Sequence, residues 1–373
     1  MKRVLLLGAG HAQVAVLAAL ARQRLAGAEV LLVSASERLV YSGMVPGLMV
    51  GHYRQDDCTL AVAPLAAAAG ITFLPGRAVA LDAQAQSVTL ADGQRIEYDV
   101  LSLNTGPTQD RERIPGARDH ALFVRPIEGF VQFWQQTRAL ADERALDIVV
   151  VGSGAAGVEI ALAARHATGT RGTLTLVSDG LVLAAYSEGV RRRALAALHR
   201  AGIQVLPGRC TAIEPWHVVL GSLRVACDVP IVAIGSDAPA WLAGSGLALD
   251  DSGFVRIGAT LQSASHANVL AAGDVIVRDD QPHPRSGVYA VRAGPVLAEN
   301  LRRFVGGGAL VPYRPQRHSL NLLALGDGRA IASWNGWSLQ GRLMGWWKDR
   351  IDRAFIRRYR SRFEPAQSPS QAS

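Results

Sequence analysis

The sequence has little cysteine, no long apolar run and little net charge outside one short segment. Charged residues make up 19% and hydrophobic residues 49% of 373 positions, which excludes a disordered chain and indicates a globular protein. No run of 18 apolar residues occurs, so no transmembrane helix is expected. The length predicts two or three domains.

The scarcity of cysteine excludes further classes of protein. Cys58, Cys210 and Cys227 are too few and too widely separated for a disulfide framework or a four-cysteine zinc site. We interpret Cys210 and Cys227 as small buried hydrophobic residues. Sparse cysteine fits the cytoplasm. A secretory signal is not expected, since the first apolar run ends after four residues at Gly8.

Positive charge is concentrated near the end of the chain. The formal net charge is +8, and residues 342–363 contain eight basic and two acidic side chains. The remainder is nearly neutral, so a broad nucleic-acid-binding surface is not expected.

A strand, a glycine-rich loop and a helix occur in the same order twice. Each unit is followed by a second apolar strand, which predicts two βαβ units with parallel sheets. In such units phosphate groups bind the free amides at the helix N-terminus, where the helix dipole favours anions. The first unit has strand 4–7, loop 8–13, a helix to about Arg24 and strand 29–33; the second has strand 148–151, loop 152–157, a helix to about His166 and strand 174–177.

Both units depart from the usual dinucleotide-binding pattern. Gln13 replaces the third glycine of the first loop, which is expected to loosen the contact between helix and strand. The acid that commonly ends the second strand is also missing. Ser34, followed by Glu37, and Ser178, followed by Asp179, stand there instead. The choice between NADH and NADPH therefore stays open.

Three further strand ends carry residues suited to ligand contact. The apolar strand 268–272 ends in Gly273-Asp274, and two other strands end in Asn104-Thr105-Gly106 and Ala233-Ile234-Gly235. In open α/β folds, ligands bind at the carboxyl ends of strands.

With these motifs, residues 1–312 resemble the pyridine nucleotide-disulfide oxidoreductase superfamily of two-dinucleotide flavoproteins. The resemblance implies an α/β fold with two Rossmann-like domains, for FAD and for NAD(P)H, and a small C-terminal α+β segment. It implies an FAD domain at 1–115 and 245–312, an NAD(P)H domain at 116–244, a C-terminal hairpin and helix at 313–363, and a disordered tail at 364–373.

The resemblance also implies the site residues. Glu159 would lie at the junction of nicotinamide and flavin, as the catalytic residue. The implied FAD contacts are Gly8, Gly10, His11, Ala12, Ser34, Glu37, Thr105, Gly106, Asp274, Val288 and Tyr289, and those to NAD(P)H are Gly152, Gly154, Gly157 and Asp179. No metal site is expected.

Within the superfamily, the chain is most similar to the branch also found fused to selenide, water dikinase, which is related to type II NADH:quinone oxidoreductases. The segments 41–47, 51–53, 287–297 and 347–353 carry this similarity. The stretch 41–51 lacks the paired cysteines of the disulfide reductases. The implied activity is transfer of a hydride from NAD(P)H to FAD and of two electrons to an acceptor, most plausibly a quinone. A reductase of a small selenium or sulfur compound and a non-catalytic flavin redox sensor remain alternatives.

The C-terminal segment is open to two interpretations. Ser319–Leu325 and Arg329–Trp334 predict a hairpin. After it, Trp347, Ile351, Phe355, Tyr359 and Phe363 recur every four residues on one face of an arginine-rich helix. Such a helix can lie on the inner face of the cell membrane as a peripheral anchor, or it can dock on the core with a solvated basic face. A homodimer is also compatible with the sequence.

Overall fold

The computed structural model describes residues 1–360, so the predictions for Phe363 and for the tail 364–373 fall outside the described residues. The described part contains nine α-helices and three short 3-10 helices, Ser42–Met44, Asp56–Cys58 and Ala240–Leu242. The α-helices are α1 (His11–Arg22), α2 (Val45–Met49), α3 (Val62–Ala68), α4 (Ala117–His120), α5 (Ile127–Glu143), α6 (Ala155–Thr168), α7 (Glu188–Arg200), α8 (Gly287–Val305) and α9 (Arg342–Arg360).

The strands form two five-stranded parallel sheets, one two-stranded parallel sheet and several small antiparallel ones. In chain order they are β1 (Lys2–Leu7), β2 (Ala28–Ser34), β3 (Arg38–Val40), β4 (Thr59–Ala61), β5 (Thr72–Pro75), β6 (Ala78–Asp82), β7 (Ser87–Leu90), β8 (Arg95–Glu97), β9 (Val100–Leu103), β10 (Leu122–Phe123), β11 (Ile148–Val151), β12 (Leu174–Ser178), β13 (Gln204–Pro207), β14 (Ala212–Glu214), β15 (His217–Leu220), β16 (Leu223–Ala226), β17 (Val229–Val232), β18 (Val255–Arg256), β19 (Val269–Ala271), β20 (Ile276–Val277), β21 (Asn321–Ala324), β22 (Ala330–Trp334) and β23 (Trp337–Gly341).

Both predicted βαβ units are present. The first sheet has the order β19-β9-β1-β2-β5 and the second the order β10-β17-β11-β12-β13, and all their pairings are parallel. The central strands, β1 and β11, are buried apolar runs at residues 4–7 and 148–151, as a sheet covered on both faces requires. The two-domain α/β prediction is thus confirmed, while the predicted domain boundaries stay a prediction.

The C-terminal segment contacts both parts of the protein. The predicted hairpin is present as β21 and β22, and β23 extends it to a three-stranded antiparallel sheet that the sequence analysis missed. Leu323 and Ile331 of this sheet join the hydrophobic core around the second parallel sheet. The α9 residues Phe355 and Tyr359 join the core around the first sheet.

The predicted apolar face of α9 is divided between core and solvent. Phe355 and Tyr359 are buried, whereas 42% of Trp347 and of Ile351 is exposed. The C-terminal half of α9 therefore docks on the core, and its N-terminal half leaves apolar side chains uncovered. Within residues 1–360, no helix is both long and apolar enough to cross a membrane.

Candidate active site

The first glycine loop, between β1 and α1, is packed against the end of β9. Gly8 has φ +92°, and a Cβ atom there would lie 2.4 Å from the carbonyl oxygen of Asn104. A Cβ atom on Gly10 would lie 2.5 Å from Asn104 Oδ1. Both positions therefore require glycine, and α1 begins directly after them, so that the end of the helix whose dipole favours anions lies at the loop.

Asn104 joins three segments around this loop, a role that the sequence analysis missed. The backbone amide of Gly10 donates to its carbonyl oxygen at 3.2 Å, and that of Gln13 donates to Oδ1 at 3.0 Å. Its own Nδ2 donates to the Ala272 carbonyl at 2.6 Å. The one available signal was its position before Thr105-Gly106 at the end of an apolar strand.

Gln13, which was expected to loosen the contact between helix and strand, instead bonds α1 to β9. Its side chain is fully buried, and Oε1 accepts a hydrogen bond of 3.1 Å from the Ser102 hydroxyl of β9. Close approach around α1 is instead provided by Gly294 of α8, where a Cβ atom would lie 2.8 Å from the Ala12 carbonyl.

Asp274 follows β19 at the carboxyl end of the first sheet. Its Oδ1 is buried without a hydrogen-bond partner, and Oδ2 lies 3.6 Å from Arg125, an unpredicted neighbour. Burial raises the pKa of this carboxyl, and Arg125 opposes the change. A buried acceptor without a partner suits a ligand hydroxyl, so Asp274 and the glycine loop fit the ribityl and pyrophosphate parts of FAD.

The other residues predicted to contact FAD surround the same region. The helix α8 begins at Gly287 as predicted, with Val288 partly exposed and Tyr289 buried. Thr105 and Gly106 are partly buried, and space is open at Gly106. The Ser34 hydroxyl donates to the Ser36 carbonyl at 2.9 Å. Glu37 is exposed and is therefore the more available of the two for a ribose hydroxyl.

His11 begins α1 beside an aromatic cluster. Its ring centroid lies 5.4 Å from that of Tyr41 and 5.8 Å from that of Phe355, while Ala12 is fully buried behind it. Burial, with the positive charge of Arg125, lowers the pKa of His11 to about 4. The imidazole is therefore neutral at pH 7, and its buried Nε2 has no partner.

The second glycine loop has all three glycines, each with a different environment. Gly152 has φ +118°, and a Cβ atom there would lie 2.5 Å from the Ala233 carbonyl. On Gly157 it would lie 1.7 Å from the Gly152 carbonyl. A Cβ atom on Gly154, at the N-terminus of α6, would have no atom of residues 1–360 within 4 Å, its adjacent residues aside. The loop thus provides open space above free amides, which fits the pyrophosphate of NAD(P)H.

One exposed acidic side chain, Asp179, follows the end of β12. The Ser178 hydroxyl is engaged within the protein, with Ser153 Oγ at 2.6 Å and the Gly180 carbonyl at 2.8 Å. Asp179 is exposed. Of these two residues, Asp179 is therefore the one available to a ribose hydroxyl.

Glu159 lies in the first turns of α6 and faces the C-terminal sheet. Its Oε1 accepts a hydrogen bond of 2.7 Å from the backbone amide of Ala324. Burial raises its pKa to about 7, while the charge of Lys348 and this hydrogen bond lower it and the charge of Asp352 raises it. A carboxyl group with a pKa near neutrality can hold and release a proton at physiological pH.

Lys348 and Asp352 of α9 complete this part of the site, and the sequence analysis did not single them out. Both side chains are buried, and Lys348 Nζ lies 2.7 Å from Asp352 Oδ2 and 2.5 Å from the carbonyl oxygen of Gly43. A pair of opposite charges four residues apart on the apolar side of a predicted helix was the signal available.

The three cysteines are buried and unpaired, and Cys210 and Cys227 pack among apolar residues in agreement with their interpretation as small buried hydrophobic residues. Burial is the main cause that raises the pKa of Cys58 and Cys227 to about 12 and of Cys210 to about 11. Their thiols are therefore protonated and poorly nucleophilic at pH 7. Among residues 1–360, no group of three or more metal-ligating side chains is present.

Comparison with known proteins places these features in a family. The model of the pyridine nucleotide-disulphide oxidoreductase family matches residues 2–294. The demethylphylloquinone reductase NdbB of Synechocystis is 27% identical over 328 residues, 84% of this chain and 81% of that protein.

Two solved structures have the same fold over nearly the whole chain. The sulfide:quinone oxidoreductase of Aquifex aeolicus has a TM-score of 0.80 and 18% identity, with coverage of 98% of this chain and 93% of the other. NDH2 of Plasmodium falciparum in complex with NADH has a TM-score of 0.79 and 12% identity, with coverage of 97% of this chain and 99% of the other.

Proposed function

Because the chain belongs to the pyridine nucleotide-disulphide oxidoreductase family, we propose that it is an FAD-dependent NAD(P)H:acceptor oxidoreductase whose acceptor is a quinone. The observation that carries this proposal is the pair of parallel sheets, each with a glycine loop opening at the end of its central strand. The Synechocystis relative, by name a demethylphylloquinone reductase, supports a quinone as acceptor.

The first parallel sheet would hold FAD, which when bound accepts two electrons from NAD(P)H and passes them to the acceptor. Gly8 and Gly10 would bind its pyrophosphate, and Asp274 its ribityl hydroxyls. The buried Oδ1 of Asp274 gains a hydrogen-bond partner in this arrangement. Residues 1–115 and 245–312 would form this domain, and 116–244 the NAD(P)H domain.

The second glycine loop would bind NAD(P)H. Its pyrophosphate would lie over Gly154, with Asp179 at the ribose. Gly152 and Gly157 would shape the loop around the pyrophosphate, since a Cβ atom at either position would meet a backbone carbonyl.

Glu159 would supply the proton that the reaction consumes. Oxidation of NAD(P)H by a quinone takes up one proton, because NAD(P)H and H⁺ together convert the quinone to a quinol. With its pKa raised to about 7, Glu159 retains a proton at neutral pH in a substantial fraction of molecules. This property supports its assignment as a general acid.

The state of the cysteines argues against the alternative of a selenium or sulfur reductase. Such a reaction commonly needs a thiolate, and raised pKa values keep Cys58, Cys210 and Cys227 protonated. The sensor alternative differs in turnover, since a sensor would be reduced slowly and reoxidised without a preferred acceptor.

An exposed apolar surface near the C-terminus would bring the protein to a membrane that contains the quinone. This surface, which we call the tryptophan patch, has 78% of Trp337 and 56% of Trp346 exposed, and Arg350 lies 5.1 Å above the ring of Trp346. Tryptophan beside arginine suits the headgroup region of an anionic bilayer. The patch comprises Trp334, Trp337, Leu339, Leu343, Trp346, Trp347 and Ile351.

Flotation with vesicles tests the patch. Trp337→Ser with Trp346→Ser should abolish flotation with anionic vesicles. Trp216→Ser is the matched control, because Trp216 is 66% exposed but lies outside the patch. Equal flotation of the wild type, the double variant and Trp216→Ser would contradict membrane contact through the patch.

The function is tested by anaerobic titration of the FAD-loaded protein with NADH and with NADPH. Loss of the flavin absorbance, followed by its return on addition of a quinone, is expected. Gly154→Glu should block the response to NAD(P)H while FAD stays bound, whereas Gly244→Glu, at an exposed glycine with open space around it, should not. Loss of FAD from Gly154→Glu would overturn the assignment of the two loops. A wild-type protein that neither nucleotide reduces would overturn the dehydrogenase assignment.

A further inference from the structure

The helix α9 buries two opposite charges on the side that faces the protein. Lys348 is 9% and Asp352 4% exposed, and their charged atoms are 2.7 Å apart. Lysine and aspartate are rarely buried this far unless paired. The desolvation of such a pair often cancels its attraction, so apolar side chains would hold the helix at least as well. The pair therefore calls for an explanation beyond the stability of α9.

The surroundings of the pair connect it to Glu159. Lys348 Nζ donates to the Gly43 carbonyl, in the segment where the disulfide reductases of this superfamily carry their cysteines. α9 packs against β21, and the Ala324 amide of β21 donates to Glu159, so the pair lies on a helix packed against the strand that holds this carboxyl. The charge of Lys348 lowers the pKa of Glu159, and the charge of Asp352 raises it. Within residues 1–360, Glu159 also meets the amide of Ala324 and the Tyr186 hydroxyl. Burial raises the pKa of Tyr186 to about 12, so this hydroxyl carries no charge at pH 7.

We propose that Lys348 and Asp352 are positioning residues of the reaction, which act through Glu159 by setting how much positive charge its carboxyl group meets. The inference rests on the proposed role of Glu159 as the proton donor. The pair lets α9 carry a cation into the site without leaving a lone charge buried, and Asp352 shares that cation with Glu159. The charge balance at Glu159 then depends on both members.

Opposite effects of two substitutions distinguish this role from a structural one. Lys348→Met removes the cation and should raise the pKa of Glu159. Asp352→Asn removes the competing carboxylate and should lower it. A neighbouring charge shifts such a pKa by on the order of one unit. Loss of packing alone would move both variants in the same direction or not at all.

The experiment titrates Glu159 directly in the FAD-loaded protein. The infrared band of its protonated carboxyl is identified by the difference from Glu159→Gln and followed with pH, and the pH profile of quinone reduction is recorded alongside. Lys348→Met should move the infrared midpoint up and Asp352→Asn should move it down, each by about one pH unit. Lys348→Arg, which keeps the cation, should stay near the wild-type value.

Shifts of the same sign, or none, in folded variants that retain FAD would overturn the inference. If Lys348→Met does not fold, the Lys348→Met/Asp352→Leu protein buries no lone charge. Its midpoint should lie above that of Asp352→Asn, and equal midpoints would overturn the inference. If Glu159→Gln leaves the pH profile of turnover unchanged, the proposed role of Glu159 fails, while the infrared midpoints still report whether the pair acts on it.

Discussion

Substitution by alanine should have different effects at Gly154 and Gly157, two glycines three residues apart in the second loop. A Cβ atom on Gly157 would lie 1.7 Å from the Gly152 carbonyl oxygen, about 1.3 Å closer than the 3.0 Å below which such contacts essentially never occur. The obstacle is backbone, so the loop or α6 must move. Overpacking of this kind costs about 1–3 kcal/mol. Gly154 has open space at the same position, so Gly154→Ala should leave the folded protein nearly as stable as the wild type.

The functional effects of the two substitutions should differ as well. Gly157→Ala should lower the melting temperature by on the order of 5 °C and weaken NAD(P)H binding because the loop is displaced. Gly154→Ala should weaken NAD(P)H binding alone, because the added methyl group occupies the space assigned to the pyrophosphate. Differential scanning calorimetry and nucleotide titration of the FAD-loaded proteins measure both effects. An unchanged melting temperature for Gly157→Ala, or equal destabilisation by both, would refute the reasoning.

Three further predictions concern the remaining parts of the site. Turnover with a quinone should fall as the pH rises through about 7, because Glu159 then loses its proton. Glu159→Gln should abolish this fall in the pH profile. A fall that persists in Glu159→Gln would belong to another group. Asn104→Ala removes the acceptor of the Gln13 amide and the donor to the Ala272 carbonyl, so it should destabilise the protein by about 1–3 kcal/mol and weaken FAD binding. Denaturant unfolding and FAD fluorescence measure the two effects. Full retention of both stability and FAD binding would count against the role of Asn104 in joining these segments. Simultaneous replacement of the three cysteines by alanine should leave the rate of quinone reduction within a few-fold of the wild type, and a large loss would revive the thiol mechanism; the residues are Cys58, Cys210 and Cys227.

The elements that carry local signals were predictable from the sequence. The apolar runs at 4–7 and 148–151, each followed by glycines, specify a buried strand and a tight turn through their own side chains. The start of α8 at Gly287 and the hairpin around residues 326–328 were also found in this way.

Residues whose role depends on contacts distant in sequence were not predictable in the same way. Asn104 contacts the loop at Gly10 and the strand end at Ala272, and its position before Thr105-Gly106 at a strand end does not indicate these distant partners. The division of α9 is another case. A period of four residues predicts one apolar face, but only the folded partner decides that Phe355 is covered and Trp347 is not.

The position of α9 has a consequence for the order in which the protein becomes competent during synthesis. Residues near the start of the chain form the first glycine loop, whereas Lys348 reaches Gly43 across 305 residues. Every strand of the two five-stranded sheets precedes α9 in the chain, yet the environment of Glu159 remains incomplete until α9 has been made. A product that ends before residue 342 would therefore contain every strand of both sheets but lack the two charges that we propose act on Glu159.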